Sequence, residues 1–171
     1  MWISQDTDFS DFELDEVYWF IGARKGYEMG INTYIMTMMT QSPRQILAFA
    51  VDNEVSAEAI ESMAHSTEPA KRYFTDGAPV YTGVDFLGKH NPNAYDKSDT
   101  HNVEGNNADL RHYIAGLRRK SRCFFRRSET LKAVLLVFIN AYNKFGQWKK
   151  RYFERNPLAD RDVGFNHTRF I

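Results

Sequence analysis

The run FELDEVYWFIGA, residues 12–23, decides the fold. It is dense in aromatic and β-branched residues, the composition of a pleated, half-buried strand, and Gly22 stands near its end. Asp15 lies inside this run. A carboxylate in a core strand is costly unless it is paired or bound to a cation. Alternation along the strand places Glu13 on the face of Asp15 and Glu16 on the opposite one.

Outward from this strand, INTYIMTMMT (31–40) and RQILAFAV (44–51) read as two more strands, split by a turn at Gln41-Ser42-Pro43. The first fifty residues thus predict three successive antiparallel strands. Asp52, Asn53 and Glu54 offer N-cap and first-turn acids for a helix through about His65, with Ala57, Ile60 and Ala64 on one face. RYFT (72–75) is a short buried strand that closes at Asp76-Gly77. A helical crossover lets this fourth strand lie parallel beside the first.

Residues 82–102 are less regular, with a short fifth strand predicted near 84–87 and a loop after it. Residues 103–117 predict a helix with an apolar stripe of Leu110, Ile114 and Leu117. The segment RRKSRCFFRR (118–127) is a basic, aromatic connector. Ser128 offers a cap for a last helix that carries Leu131, Val134, Leu135, Phe138, Tyr142 and Phe145 and stops at Gly146. The reading is an α/β fold in which helices flank a mixed sheet in β-β-β-α-β-α order. A lead-in covers 1–11, the folded domain 12–146, and a basic, aromatic tail 147–171.

The net charge of zero hides a segregation. Residues 1–110 hold 7 Lys and Arg against 18 Asp and Glu, a net of −11. Residues 111–155 hold 13 against 2, a net of +11. The basic part points to a polyanionic partner. The acidic part is either plain surface charge or, in part, a cation site. No apolar run approaches the roughly 18–20 residues that span a bilayer. The first residues lack the basic and apolar regions of a signal peptide. The single cysteine, Cys123, excludes an internal disulfide and fits a reducing, cytoplasmic home.

Three acids stand out by position: Asp15 within a hydrophobic strand, Asp76 at the end of a second, and Glu104 at the start of a helix. Taken singly, Asp76-Gly77 is also a plain turn, and Glu104 an ordinary first-turn acid. Adjacent strands lie about 4.8 Å apart, so carboxylates from neighbouring strands can share one cation. Three crowded carboxylates repel one another unless a divalent ion neutralises them, and hard oxygen ligands suit Mg²⁺ or Mn²⁺. A pair of such ions about 3.5–4 Å apart serves phosphodiester chemistry. Arg111 lies seven residues after Glu104, almost two helical turns, and so shares its face. Asn107 and Ala108 lie between them, where small and amide residues would admit a DNA strand. Arg118, Arg119, Lys120, Arg122, Arg126 and Arg127 supply further phosphate contacts.

These blocks resemble those of the insertion-sequence-one transposases. The resemblance rests on Leu14-Asp15-Glu16-Val17-Tyr18-Trp19, on Thr75-Asp76-Gly77 with Tyr81, and on Asn102-Val103-Glu104-Gly105-Asn106-Asn107 running into Leu110-Arg111. It extends through Leu117-Arg118-Arg119-Lys120-Ser121, Phe124 and Ser128, and covers residues 12–146. Asp15 and Asp76 are 61 positions apart, and Asp76 and Glu104 are 28 apart. The resemblance implies an RNase H-like fold and a DDE transposase that cleaves and transfers DNA strands at transposon ends with Mg²⁺ or Mn²⁺. It assigns Asp15, Asp76 and Glu104 as catalytic metal ligands and Arg111 as the basic residue beyond the Glu. It also implies an upstream DNA-reading region, fused or separate, that residues 1–11 do not contain, and a multimer, in the simplest case a homodimer. Two alternatives are an RNase H-like nuclease or resolvase on the same carboxylates, and a non-catalytic DNA-binding remnant.

Overall fold

The computed structural model describes Ile3 and residues 8–22, 31–92, 101–118 and 123–145. Arg119, Lys120, Arg122 and the tail 147–171 lie outside the described residues. The strands are β1 (Asp11–Ile21), β2 (Ile31–Thr40), β3 (Ile46–Asp52), β4 (Arg72–Thr75) and β5 (Lys89–Pro92). The helices are α1 (Ala57–His65), α2 (His101–Tyr113) and α3 (Ser128–Phe145). Among the described residues these five strands form one mixed sheet in the order β3-β2-β1-β4-β5. β1–β2 and β2–β3 pair antiparallel, while β1–β4 and β4–β5 pair parallel. No described helix is long and apolar enough to cross a membrane.

Strand alternation divides the core in two. Val17, Trp19 and Ile21 of β1 and Ile35 and Met39 of β2 pack with Val103 and Leu110 of α2, with Ile114 just after it, and with Leu131, Leu135 and Ile139 of α3. On the other face, Phe12, Leu14, Met36 and Met38 pack with Ile60, Met63 and Ala64 of α1 and with Tyr73, Tyr81 and Phe86. Helices therefore cover both faces, and β1 lies buried between them for most of its length.

Three predicted elements move. α1 starts at Ala57, not near residue 52: Asp52 ends β3, and the Ser56 hydroxyl caps the helix by accepting from the Ala59 amide at 3.2 Å. The fifth strand is Lys89–Pro92, not 84–87. The apolar side chain of Phe86 there fills the core (9% exposed) while the backbone of 89–92 pairs with β4. Gly88 allows this approach, because a Cβ on it would meet the Ala70 carbonyl oxygen at 2.1 Å. α2 begins at His101 and ends at Tyr113, and Ala115–Leu117 forms a separate 3₁₀ turn after an extended Ile114. α3 starts at Ser128 as predicted, but the Ser128 hydroxyl bonds the Glu129 carboxylate at 3.1 Å.

Candidate metal centre

The parallel pairing of β1 with β4 covers Asp11 to Glu13 opposite Arg72 to Phe74. It is clamped at its start by a two-pronged ion pair from Arg72 to Asp11. One residue past the last pair, β4 ends at Thr75, and the chain turns at Asp76-Gly77 with Gly77 at φ 81°. The Asp76 carboxylate fixes this turn by accepting from the Ala78 amide at 2.9 Å. Beyond Glu13 the edge of β1 therefore has no partner strand on this side among the described residues. Asp15 and Glu16 lie at that open edge.

Ligand atoms of Asp15, Glu16 and Asp76 all lie within 4.8 Å of one another, and each of the three is partly buried. Asp15 and Asp76 meet as the spacing predicted. Glu16 is the addition. Alternation places it on the face opposite Asp15, but no strand separates the two faces where β4 has stopped, so both side chains reach the same edge. The Tyr81 hydroxyl, 2% exposed, donates to Glu16 Oε2 at 2.9 Å and holds it there. Glu104 is not in this group. It is partly buried in the first turn of α2, three residues before Asn107.

Burial dominates the electrostatics. Desolvation pushes the Asp15 carboxyl up to about 6, and the nearby charges of Glu16 and Asp76 push in the same direction. Burial also raises Glu16, with Asp76 adding repulsion and the Tyr81 hydroxyl opposing it. The Tyr81 phenol is raised by its burial and by the same carboxylates. Three oxygen ligands crowded at one edge, two of them resisting ionisation, form a donor set that fits a hard divalent cation. His90 lies on β5 with its Nε2 3.0 Å from the Thr75 hydroxyl, and burial lowers its pKa.

α2 is docked over β1 by polar contacts. Glu13, fully buried, accepts from the Val103 amide at 2.9 Å and from Asn102 Nδ2 at 2.7 Å. Two residues on, Asp15 Oδ2 accepts from Asn107 Nδ2 at 2.7 Å. Asn107 is 5% exposed and faces Asp15, so it does not line an open DNA path as the sequence reading expected. Arg111 is partly buried on α2. The Arg118 guanidinium donates twice to the His112 carbonyl, at 3.0 and 2.9 Å, and so closes the end of α2. Arg126 and Arg127 are exposed.

Two other features compete for attention. Glu61, His65 and Asp85 also gather within 4.8 Å, but His65 and Asp85 are exposed and His65 Nε2 is bonded to the Asp85 carbonyl oxygen at 3.0 Å. A cavity of about 600 Å³ between the end of α2 and the outer face of α3 is lined by residues such as Tyr113, Phe125, Val134, Val137 and Phe138. No carboxylate, histidine, lysine or arginine is among its lining residues. No protein-family model matches this chain, and no curated protein matches it.

Proposed function

We propose that this chain is the catalytic domain of a DDE-type DNA transposase, built on an RNase H-like sheet and working with Mg²⁺ or Mn²⁺. The observation that carries this reading is the meeting of Asp15 and Asp76, 61 positions apart, at the open edge between two parallel strands. The ordered blocks around Asp15, Asp76 and Glu104 add the resemblance to insertion-sequence-one transposases.

Asp15 and Asp76 hold the cation, and Glu16 completes the oxygen set nearest to them. Glu104, in the first turn of α2 and outside this group, is the third catalytic carboxylate by the resemblance alone. These carboxylates would hold a pair of divalent ions, which would supply an activated nucleophile and charge neutralisation for a phosphodiester's leaving oxygen. Arg111 on α2 and the exposed Arg126 and Arg127 hold DNA phosphates, together with Arg119, Lys120 and Arg122. The upstream DNA-reading partner and a multimeric assembly on paired ends belong to the same proposal, as does a cytoplasmic setting.

The test is strand transfer. Full-length chain is mixed with a pre-cut transposon end, a target plasmid and Mg²⁺, and covalent joining is scored. Joined product that disappears in Asp15→Asn, Asp76→Asn and Glu104→Gln supports the reading. Cleavage without joining selects the RNase H-like nuclease, since the carboxylate group alone has no feature reserved for transfer. Unchanged DNA binding with no cleavage under any metal selects the non-catalytic remnant, a reading that draws on the position of Glu104 outside the cluster.

A further inference from the structure

Asp15 on β1 and Thr37 on β2 are paired across the antiparallel ladder, and Asn107 of α2 spans them. The Asn107 amide nitrogen donates to Asp15 Oδ2 at 2.7 Å, and its amide oxygen accepts from the Thr37 hydroxyl at 3.4 Å. Thr37 is fully buried and Asn107 is 5% exposed. An amide has a donor end and an acceptor end. The Asp15 carboxylate only accepts, so it takes the donor end, and the acceptor end is left to the Thr37 hydroxyl. The reversed amide would set its oxygen against a carboxylate oxygen and repel it.

This arrangement is a costly way to pack a helix on a sheet. Val103 and Leu110, core-facing residues of α2, are apolar, and Asn106 is the other buried amide on this helix. A buried amide against a buried carboxylate gives back desolvation that a leucine would not lose. The contact serves Asp15 instead: it fixes the rotation of one carboxylate and occupies one of its oxygens, leaving the remaining lone pairs for the cluster with Glu16 and Asp76. We propose that Asn107 is a positioning residue for the metal ligand Asp15, with the far end of its amide anchored by Thr37.

This inference rests on the metal-site reading, and Mn²⁺ alone is the probe that separates the two. Mn²⁺ is titrated into the full chain by calorimetry, with the electron paramagnetic resonance line shape as a second readout. Wild type binds. Asn107→Leu, which keeps the volume and removes the donor, weakens Mn²⁺ about 10–100-fold, the range found when an outer partner of a metal ligand is lost. Removing the donor also leaves Asp15 and Thr37 without that partner and lowers the metal-free melting temperature, so the altered Mn²⁺ line shape at saturating metal is the readout that a merely structural contact would not give. Thr37→Val weakens Mn²⁺ by a smaller factor and Thr37→Ser restores it. Asn107→Leu binding within twofold of wild type overturns the proposal while the metal site stands. If that variant does not fold, equal Mn²⁺ affinity in Thr37→Val and wild type overturns it. A wild-type chain that takes up no Mn²⁺ sinks the metal site and this inference with it.

Discussion

The Glu13 carboxylate, buried in β1, accepts the Val103 amide at 2.9 Å and so caps α2 from a strand ninety residues earlier. The first turn of a helix has free amides that need acceptors, and α2 draws one of them from the sheet. Burial raises the Glu13 carboxyl despite the donors around it, so its acceptor bonds hold it against a real desolvation cost. Glu13→Ala should leave the Val103 amide and Asn102 unsatisfied and cost about 2–4 kcal/mol. Glu13→Gln keeps one acceptor and should cost about half as much. Urea denaturation of the three proteins measures this, and equal midpoints for Glu13→Ala and wild type would remove the clamp.

The raised Asp15 carboxyl makes the metal-free protein less stable as pH rises. Its folded value of about 6 exceeds the ordinary aspartate value of 3.8. Between those values the folded chain binds more protons than the unfolded one, so stability falls as pH increases. The contribution is fully present below about pH 4 and is lost through about pH 6. Asp15→Asn has no proton to lose. Without metal, its stability relative to wild type should improve by on the order of 2–3 kcal/mol between pH 4 and pH 7. Mg²⁺ should stabilise wild type at pH 7 and leave Asp15→Asn nearly unchanged. Thermal melts at several pH values, with and without Mg²⁺, check both statements, and a constant difference between the two proteins would contradict the assignment.

On the proposed reading Glu16 and Glu104 have different tasks, and two substitutions separate them. Glu16 lies with Asp15 and Asp76 in the group whose ligand atoms are within 4.8 Å, and Glu104 does not. Glu16→Gln should therefore weaken Mn²⁺ binding by about tenfold, the loss of one oxygen ligand's charge. Glu104→Gln should leave that affinity within about twofold and still abolish DNA cleavage, because its carboxylate is required with substrate in place. Calorimetry and a plasmid-nicking assay on the same preparations give the two readouts. The reverse pattern would make Glu104 the primary ligand and Glu16 a partner of Tyr81.

The same residues show what the sequence carried and what it did not. Strand periodicity located β2 and β4 at their observed bounds, because both are apolar runs closed by turn residues. Asp15 and Asp76 were visible as carboxylates on neighbouring strands. Glu16 was not, since strict alternation assigns it to the other face, and only the early end of β4 opens the edge where the faces meet. Asn107 read as a surface amide because polar residues on helices usually face water; its partner Thr37 lies 70 residues away and no local pattern joins them. The fifth strand was sought among apolar residues, but an edge strand needs only backbone, and KHNP supplies that. Residues 103–117 read as one helix, yet Ile114 adopts an extended conformation at φ −90° and ψ 104° and breaks it.

The arginines near the end of α2 differ in what they are free to do. Arg118 spends two guanidinium donors on the His112 carbonyl, a bond that closes the helix end. Arg126 and Arg127 are exposed just before α3. Arg118→Ala should therefore act first on stability, at about 1–2 kcal/mol for a lost charge-assisted cap. Replacing Arg126 and Arg127 together by Ala should leave stability within about 0.5 kcal/mol, as for other surface changes. It should weaken DNA binding uniformly across sequences. If both contact phosphates, the slope of log affinity against log salt falls by about 1.8, roughly 0.9 for each contact. Fluorescence anisotropy on duplexes of unrelated sequence over a salt series measures that slope. A slope equal to wild type in the double variant would take these two residues out of the DNA path and return the polyanion contact to the other basic positions between 111 and 155.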